Sequence, residues 1–311
     1  MTIGENLTEF GGLPVRDFDS TKGIEDPAGI SYRVRLDWDD YDKGVKFAEV
    51  LAKFLGDPKL GEVKSFVIGA WAPESDSNSE SIIRAIVEAQ DKLQGLEHLF
   101  FGDITFEEQE ISWILQSDIS PLFGALPNLR TLRVRGADGL KLTPLPHAHL
   151  REFALESGGL PSDVIRAALA CEFPELEHLE LWLGDDGYGW DGNVKLFDDL
   201  LAGKLFPKLK YLGLRDSMIA DDIAEAIAAA PILERIEVLD LSMGTLGDKG
   251  VEALTQSPQI GKLKKLDIHH HYASTEKTQA LAAAVNELDA GDPEEPDVDD
   301  GEEYRYVAVA E

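Results

Sequence analysis

A six-residue pattern, apolar-x-x-apolar-x-apolar, recurs along the chain. It reads Val63-Phe66-Ile68, Leu96-Leu99-Phe101, Leu129-Leu132-Val134, Leu150-Phe153-Leu155, Leu176-Leu179-Leu181, Leu209-Leu212-Leu214, Ile236-Leu239-Leu241 and Leu263-Leu266-Ile268. The first positions lie 21 to 33 residues apart, about 29 on average. An earlier copy is expected around Val34 and Leu36, with Ser31 in its first slot. The alternation inside each unit predicts a short strand. The text after each strand is helical: GGLPSDVIRAALACEFP, with Ser162 or Asp163 as N-cap, then ADDIAEAIAAAP, GDKGVEALTQSP and STEKTQALAAAVNEL (274–288). Strand then helix, repeated in one direction, predicts parallel strands whose crossovers lie on one side.

Outside the repeats the pattern changes. Residues 1–30 read as an N-terminal cap, with Leu13-Pro14-Val15 and Phe18 as an edge strand over the first repeat, because a solenoid end must be covered. Residues 31–288 are the solenoid, about nine units. Residues 287–303 hold ten acids, two prolines and no base, so 289–303 is expected to be an acidic disordered linker. The tail, YRYVAVAE (304–311), turns apolar and alternating again, which is β-capable text. Free presentation of that tail and its folding back as an extra strand or cap both fit the sequence.

The stretch IEVLDLSMGTLGDKGVEAL (236–254) resembles the ribonuclease-inhibitor type of leucine-rich repeat. The whole chain is similar to a family of uncharacterised bacterial leucine-rich-repeat proteins, through GDITFEEQEISWILQSDISP (102–121), ESGGLP (156–161), LEHLELWLG (176–184), LDIHHHY (266–272) and the tail. The expected fold is therefore α/β: a right-handed leucine-rich-repeat solenoid, or horseshoe, with a parallel sheet on the concave face and helices on the convex face. The resemblance implies no reaction, and it implies possible partners among ATP-grasp or radical enzymes encoded nearby. The chain departs from the common repeat at the ninth position. An Asn ladder is usual there, but the slots hold Trp71, Ile104, Ala137, Gly158, Gly184, Ser217, Gly244 and His271, which predicts irregular strand-to-helix loops.

Charge narrows the function. The 311 residues carry 59 acids against 29 Lys and Arg, a formal charge of −30. Such a surface repels phosphate, so neither nucleic acid nor an anionic membrane is an expected partner. The N-terminus has no basic region followed by an apolar run, and no apolar stretch has the length of a membrane span, so a cytoplasmic protein is expected. Cys171 is the sole cysteine and follows a helical run, which suits a buried small hydrophobe better than a nucleophile. No phosphate-binding, dinucleotide-binding or nucleophile-elbow motif is present. His269-His270-His271 invites a metal, since His269 and His271 share a face of an extended strand near Asp267. The favoured reading puts His271 in the loop slot and His269 on the inner face, with no cofactor and no metal.

Strand side chains alternate faces, so residues between the apolar positions line the inner curve. There the sequence places Phe100, Arg133, Arg135, Glu156, Trp182, Tyr211, Arg215, Asp240, Asp267 and His269. Aromatic residues and Arg dominate protein interfaces. Nine strands offer about 560 Å² of inner face, short of the ~800 Å² a partner usually covers, so the rim must contribute. Trp38, Trp71, Trp113, Trp182 and Trp190 all lie at or after carboxyl ends of strands, among acids. The expected function is a non-enzymatic scaffold that binds a polypeptide through the inner face and this rim. The alternative is a substrate or carrier protein whose tail is bound or modified by partner enzymes.

Overall fold

The computed structural model describes residues 3–71 and 77–310. Residues 1–2 of the expected cap and residue 311 of the tail lie outside the described residues. Twelve strands form one open sheet in strict chain order. They are β1 (Glu9–Phe10), β2 (Leu13–Asp17), β3 (Ser31–Val34), β4 (Ser65–Gly69), β5 (His98–Asp103), β6 (Thr131–Arg135), β7 (Glu152–Glu156), β8 (His178–Gly184), β9 (Tyr211–Ser217), β10 (Val238–Asp240), β11 (Lys265–Asp267) and β12 (Leu288–Asp289). Between them run α1 (Trp38–Asp42), α2 (Phe47–Gly56), α3 (Glu80–Glu88), α4 (Ser120–Ala125), α5 (Ser162–Leu169), α6 (Asp198–Leu201), α7 (Ala220–Ala228), α8 (Asp248–Gln256) and α9 (Thr275–Ala282). Among the described residues, no helix is long and apolar enough to cross a membrane. The chain divides into two compact units: residues 3–153 with 170–174, and residues 154–169 with 175–310.

In the first unit β1 turns back antiparallel onto β2, and β2 to β6 pair in parallel. Helix α2 buries Phe47, Val50, Leu51, Phe54 and Leu55, the one-stripe pattern of a helix laid on a sheet. Phe54 stacks on Phe66 of β4, and Phe123 of α4 stacks on Phe173. β2 carries the strand expected at Leu13-Pro14-Val15, but it is not the edge: β1 pairs outside it, and Phe18 lies one residue past its end. The hairpin partner β1 was not legible, because two residues carry no period.

In the second unit the register aligns one leucine per strand: Leu179, Leu212, Leu239 and Leu266. All four are fully buried, and each such side chain contributes about 1.5–3 kcal/mol. Ile223 and Ile227 of α7 and Val251 and Leu254 of α8 close the core from the helical side. The helix starts are capped from neighbouring repeats. Asp221 of α7 accepts from the N–H groups of Gly247 and Gly250 at the start of α8 (2.8 and 2.9 Å). Asp248 of α8 accepts from the Ser274 N–H at the start of α9 (2.6 Å). Neither Ser162 nor Asp163 caps α5 as expected: the helix begins at Ser162, whose N–H goes to Asp191 (2.7 Å). A carboxylate at a helix start satisfies an orphan donor and the helix dipole together.

The loops replace the missing Asn ladder with separate solutions. Gly184 takes φ +73° and gives its carbonyl to Met218 N–H. His271 is buried in its slot, accepting from Ala273 N–H through Nδ1 (3.0 Å) and meeting the Ala290 carbonyl through Nε2 (3.3 Å).

The expected disordered linker is corrected by the structure. Helix α9 stops at Ala282, Leu288–Asp289 pairs in parallel with β11 as β12, and β13 (Asp297–Asp299) forms a hairpin with β14 (Glu302–Tyr304). Backbone pairing orders this acidic stretch where side-chain burial cannot: His270 N–H donates to Gly291 O, and Glu294 N–H donates to His271 O. The tail folds back onto the same unit, with Val307 and Val309 buried.

Candidate functional site

The inner-face residues of the first unit are mostly covered. Phe100 is fully buried in a cluster with Phe10 and Val67, against which Leu7 and Val15 pack. Arg135 is buried, lies over the Phe100 ring (5.1 Å) and donates to the Ile104 carbonyl (2.8 Å). Neither is open to a partner, which corrects the expectation. The cause is the N-terminal segment, which buries an apolar patch that alternation alone puts in solvent. Asp103, at the end of β5, anchors it: the carboxylate is fully buried, accepts from Arg33 Nη1 (2.9 Å) and from Leu7 N–H (3.3 Å). Arg133 does face an open groove of about 430 Å³ with Glu9, Gly11, His98 and Glu152, and its Nε donates to Glu152 (2.7 Å).

In the second unit the candidates form two groups on one face, one around Arg215 across β8 to β10 and one around Asp267 on β11 and β12. Arg215 of β9 lies over the Trp182 ring (5.2 Å), donates from Nη1 to Glu180 (3.1 Å) and from Nε to Ser242 Oγ (2.9 Å), and stands 3.3 Å from Asp240. Trp182 Nε1–H donates to the same oxygen, Glu180 Oε1 (2.7 Å). Tyr211 donates to Asp240 (2.6 Å) and stacks flat on His178 (3.8 Å between ring centres). Asp267 of β11 accepts from Lys265 (2.8 Å) and pairs with His269 Nδ1 (2.7 Å). Glu156, at the end of β7, is buried as deeply as Arg135 and is not open to a partner, which corrects the expectation for it. Strands only ~4.8 Å apart let long side chains on one face cover each other, so Arg215, Glu180 and Asp240 are far less exposed than alternation suggests.

The electrostatics follow from that crowding. Burial works against ionising Arg215, but the carboxylates of Asp240 and Glu180 outweigh it and hold the guanidinium charged. Burial and the same two carboxylates push the Tyr211 phenol up. Burial also opposes ionisation of Asp267, yet hydrogen bonds from His269 and Lys265 hold its carboxyl below the usual carboxylate range. His269 is correspondingly raised, first by its bond to Asp267.

The rim splits. Trp71, Trp182 and Trp190 are buried, whereas Trp38 and Trp113 are exposed, Trp113 to 65%. In the second unit the rim holds the chain's own tail. Ala308 N–H donates to Met243 O (2.8 Å), and Val309 N–H donates to Asp216 Oδ1 (2.9 Å). Tyr272 OH exchanges bonds with the Tyr306 backbone (2.9 and 3.0 Å). Asp216 was missed by sequence reasoning, which gave no weight to a polar residue just before a loop slot. It is fully buried at φ +51°, and its Oδ2 makes no hydrogen bond. Burial pushes its carboxyl well above the usual range.

That shift predicts a pH effect. A raised carboxyl binds its proton more readily folded than unfolded, so its contribution is complete at low pH and is lost as pH rises from the unfolded value of 3.8 through the raised one. Asp216→Asn keeps the acceptor for Val309 and removes the ionisation. In urea titrations the variant should equal the parent near pH 4 and gain on the order of 1–3 kcal/mol over it by pH 8. A gap that does not widen with pH contradicts this.

Parallel strands in chain order, an aligned row of buried leucines on one face and a helix-bearing return after the strands define a leucine-rich-repeat protein. A Bacteroides fragilis protein whose crystal structure was solved as a structural-genomics target is 35% identical, matched over 85% of this chain and 74% of that one, with a TM-score of 0.79. The chain belongs to the family of that protein. An internalin of Listeria monocytogenes is also matched, at 11% identity over 84% of this chain and 78% of that one, with a TM-score of 0.37. No protein-family model matches the chain, and no curated protein does.

Proposed function

We propose that this protein is a non-enzymatic scaffold of ribonuclease-inhibitor-type repeats that captures a polypeptide on the inner face of β8 to β12. The observation that carries the reading is the pre-formed charge network on that face. Glu180, Asp240, Asp267 and Asp289 stand there against Arg215 and Lys265, locked by hydrogen bonds and by the His178–Tyr211 stack. A face already ordered loses little entropy on binding. Its excess of carboxylates selects a basic segment, in keeping with the overall charge of −30. The ionisable groups of the face are engaged with one another, which suits recognition better than proton transfer. The groove at Arg133 and Glu152 adds a smaller polar surface in the first unit.

The reading of the tail as a segment presented to partner enzymes, of the ATP-grasp or radical class, is supported less well. Its main chain is held by Asp216, Met243 and Tyr272, and Val307 and Val309 are buried.

The test is photo-crosslinking from single sites. A crosslinking residue at His178 or Asp289 should label one polypeptide in source extract, and labelling should fall as salt rises from 50 to 500 mM, roughly as screening shortens from ~14 to ~4 Å. The same residue at Glu276 on α9 should label nothing in common. Equal labelling from the helix face, or none from the inner face, overturns the scaffold reading.

A further inference from the structure

We propose that His270, Asp292 and Glu294 form a binding site for a divalent first-row transition ion of the zinc class. The three ligand atoms lie within 4.8 Å of one another. His270 is buried, only 7% exposed, and its Nδ1 makes no hydrogen bond. That atom points at both carboxylates: Glu294 Oε1 stands 3.4 Å away and Asp292 Oδ2 stands 4.0 Å away. Ligand atoms about 2.1 Å from a tetrahedral ion are separated by about 3.4 Å. The first distance already matches, and the second needs a few tenths of an ångström from an exposed side chain.

The other ring nitrogen has a partner of its own. His270 Nε2 faces the Tyr306 carbonyl at 3.3 Å, an oxygen that can only accept. A proton on Nε2 serves that carbonyl and leaves Nδ1 as the nitrogen that meets an ion. A carbonyl behind the distal nitrogen is the usual partner of a metal-bound histidine. The backbone agrees: His270 at φ +55° and Asp292 at φ +56° both hold the left-handed conformation, which costs non-glycine residues free energy and persists where the surroundings demand it. One imidazole with two carboxylates suits zinc or its neighbours better than calcium or magnesium, which take all-oxygen sets. Asp292 and Glu294 are both solvent-accessible, so a fourth position is open to water.

The neighbouring triad of Asp267, His269 and Asp289 is a different case. Lys265 Nζ already sits 2.8 Å from Asp267 and 3.5 Å from Asp289, where a cation would lie. The two sites on consecutive histidines thus divide the work, one filled by a lysine and the other left to an ion.

Such an ion ties the acidic loop after β12 to the end of β11. Through Nε2–H it also reaches the backbone of Tyr306, so its occupancy strengthens the seat of the tail. The test uses untagged, full-length protein stripped with a chelator. Isothermal titration with Zn²⁺ should give one site per chain. Asp292→Asn and Glu294→Gln, both at accessible positions where folding is preserved, should each weaken it by at least about tenfold, while Asp289→Asn leaves it unchanged. Zn²⁺ should also slow amide exchange at Ala308 and Val309, and Glu294→Gln should abolish that slowing. Absence of a stoichiometric site, or a site indifferent to Asp292 and Glu294, overturns the proposal. Equal affinity for Ca²⁺ overturns the assigned ion class.

Discussion

Arg215→Ala should lower the stability of the folded chain by about 3–5 kcal/mol, the range for stripping one partner from a buried ion pair. The guanidinium joins Glu180 to Asp240, and both carboxylates are almost fully buried, at 3% and 7% side-chain exposure. Without it they stand on β8 and β10, on either side of β9, with no cation between them. The Trp182 ring also loses the cation above it, and Ser242 Oγ loses its donor. A urea or thermal titration reads the loss directly. Arg215→Met with Glu180→Gln and Asp240→Asn should recover most of it, because removing a whole buried charge set costs far less than removing one member. A single-variant loss below about 1 kcal/mol would show that water, not the arginine, compensates these carboxylates. Charge reversal at Arg215 is for the same reason an unsuitable probe of binding.

The second large effect is expected at Asp103. Asp103→Ala removes a fully buried carboxylate that holds Arg33 at 2.9 Å and the Leu7 N–H at 3.3 Å, and keeps only the main-chain carbonyl that accepts from the Asn6 amide (3.0 Å). Arg33 still has Asp17 at 2.6 Å, so the arginine is not orphaned. What fails is the attachment of the N-terminal segment, and with it the cover over Phe100, Val67 and Phe10. A loss of about 3 kcal/mol is expected, together with early proteolytic cleavage before Phe10 and dye binding to the bared aromatic patch. Retention of both the cover and the stability would mean that apolar packing alone seats the segment.

Much of the fold was legible because the repeat is phase-locked. In each unit the three apolar positions fix where a strand begins and which face it buries, and β3 to β11 appear where the pattern puts them. The elements that escaped have no phase to read. β1 and β12 have two residues each, and their stability comes from neighbouring strands. The acidic stretch 289–303 misled through its average composition, since its order comes from backbone pairing with β11 and His271. The candidate site was half legible. Alternation placed Trp182, Tyr211, Arg215, Asp240, Asp267 and His269 on one face, where they meet. It could not show that the N-terminal segment covers Phe100, nor that Asp216 and His270 turn inward at positive φ, because those are decisions of tertiary contact.

The capping of α8 by Asp221 and of α9 by Asp248 has a direction. Each carboxylate belongs to the earlier helix and each orphan donor to the later one. During synthesis the N-terminal part of a chain emerges first, so the acceptor is in place before the helix that needs it has been made. From α7 to α9 assembly is thereby polarised, each finished turn acting as a template for the next. Damage should spread one way: losing Asp221 loosens the start of α8 and everything after it, whereas losing Asp248 spares α7.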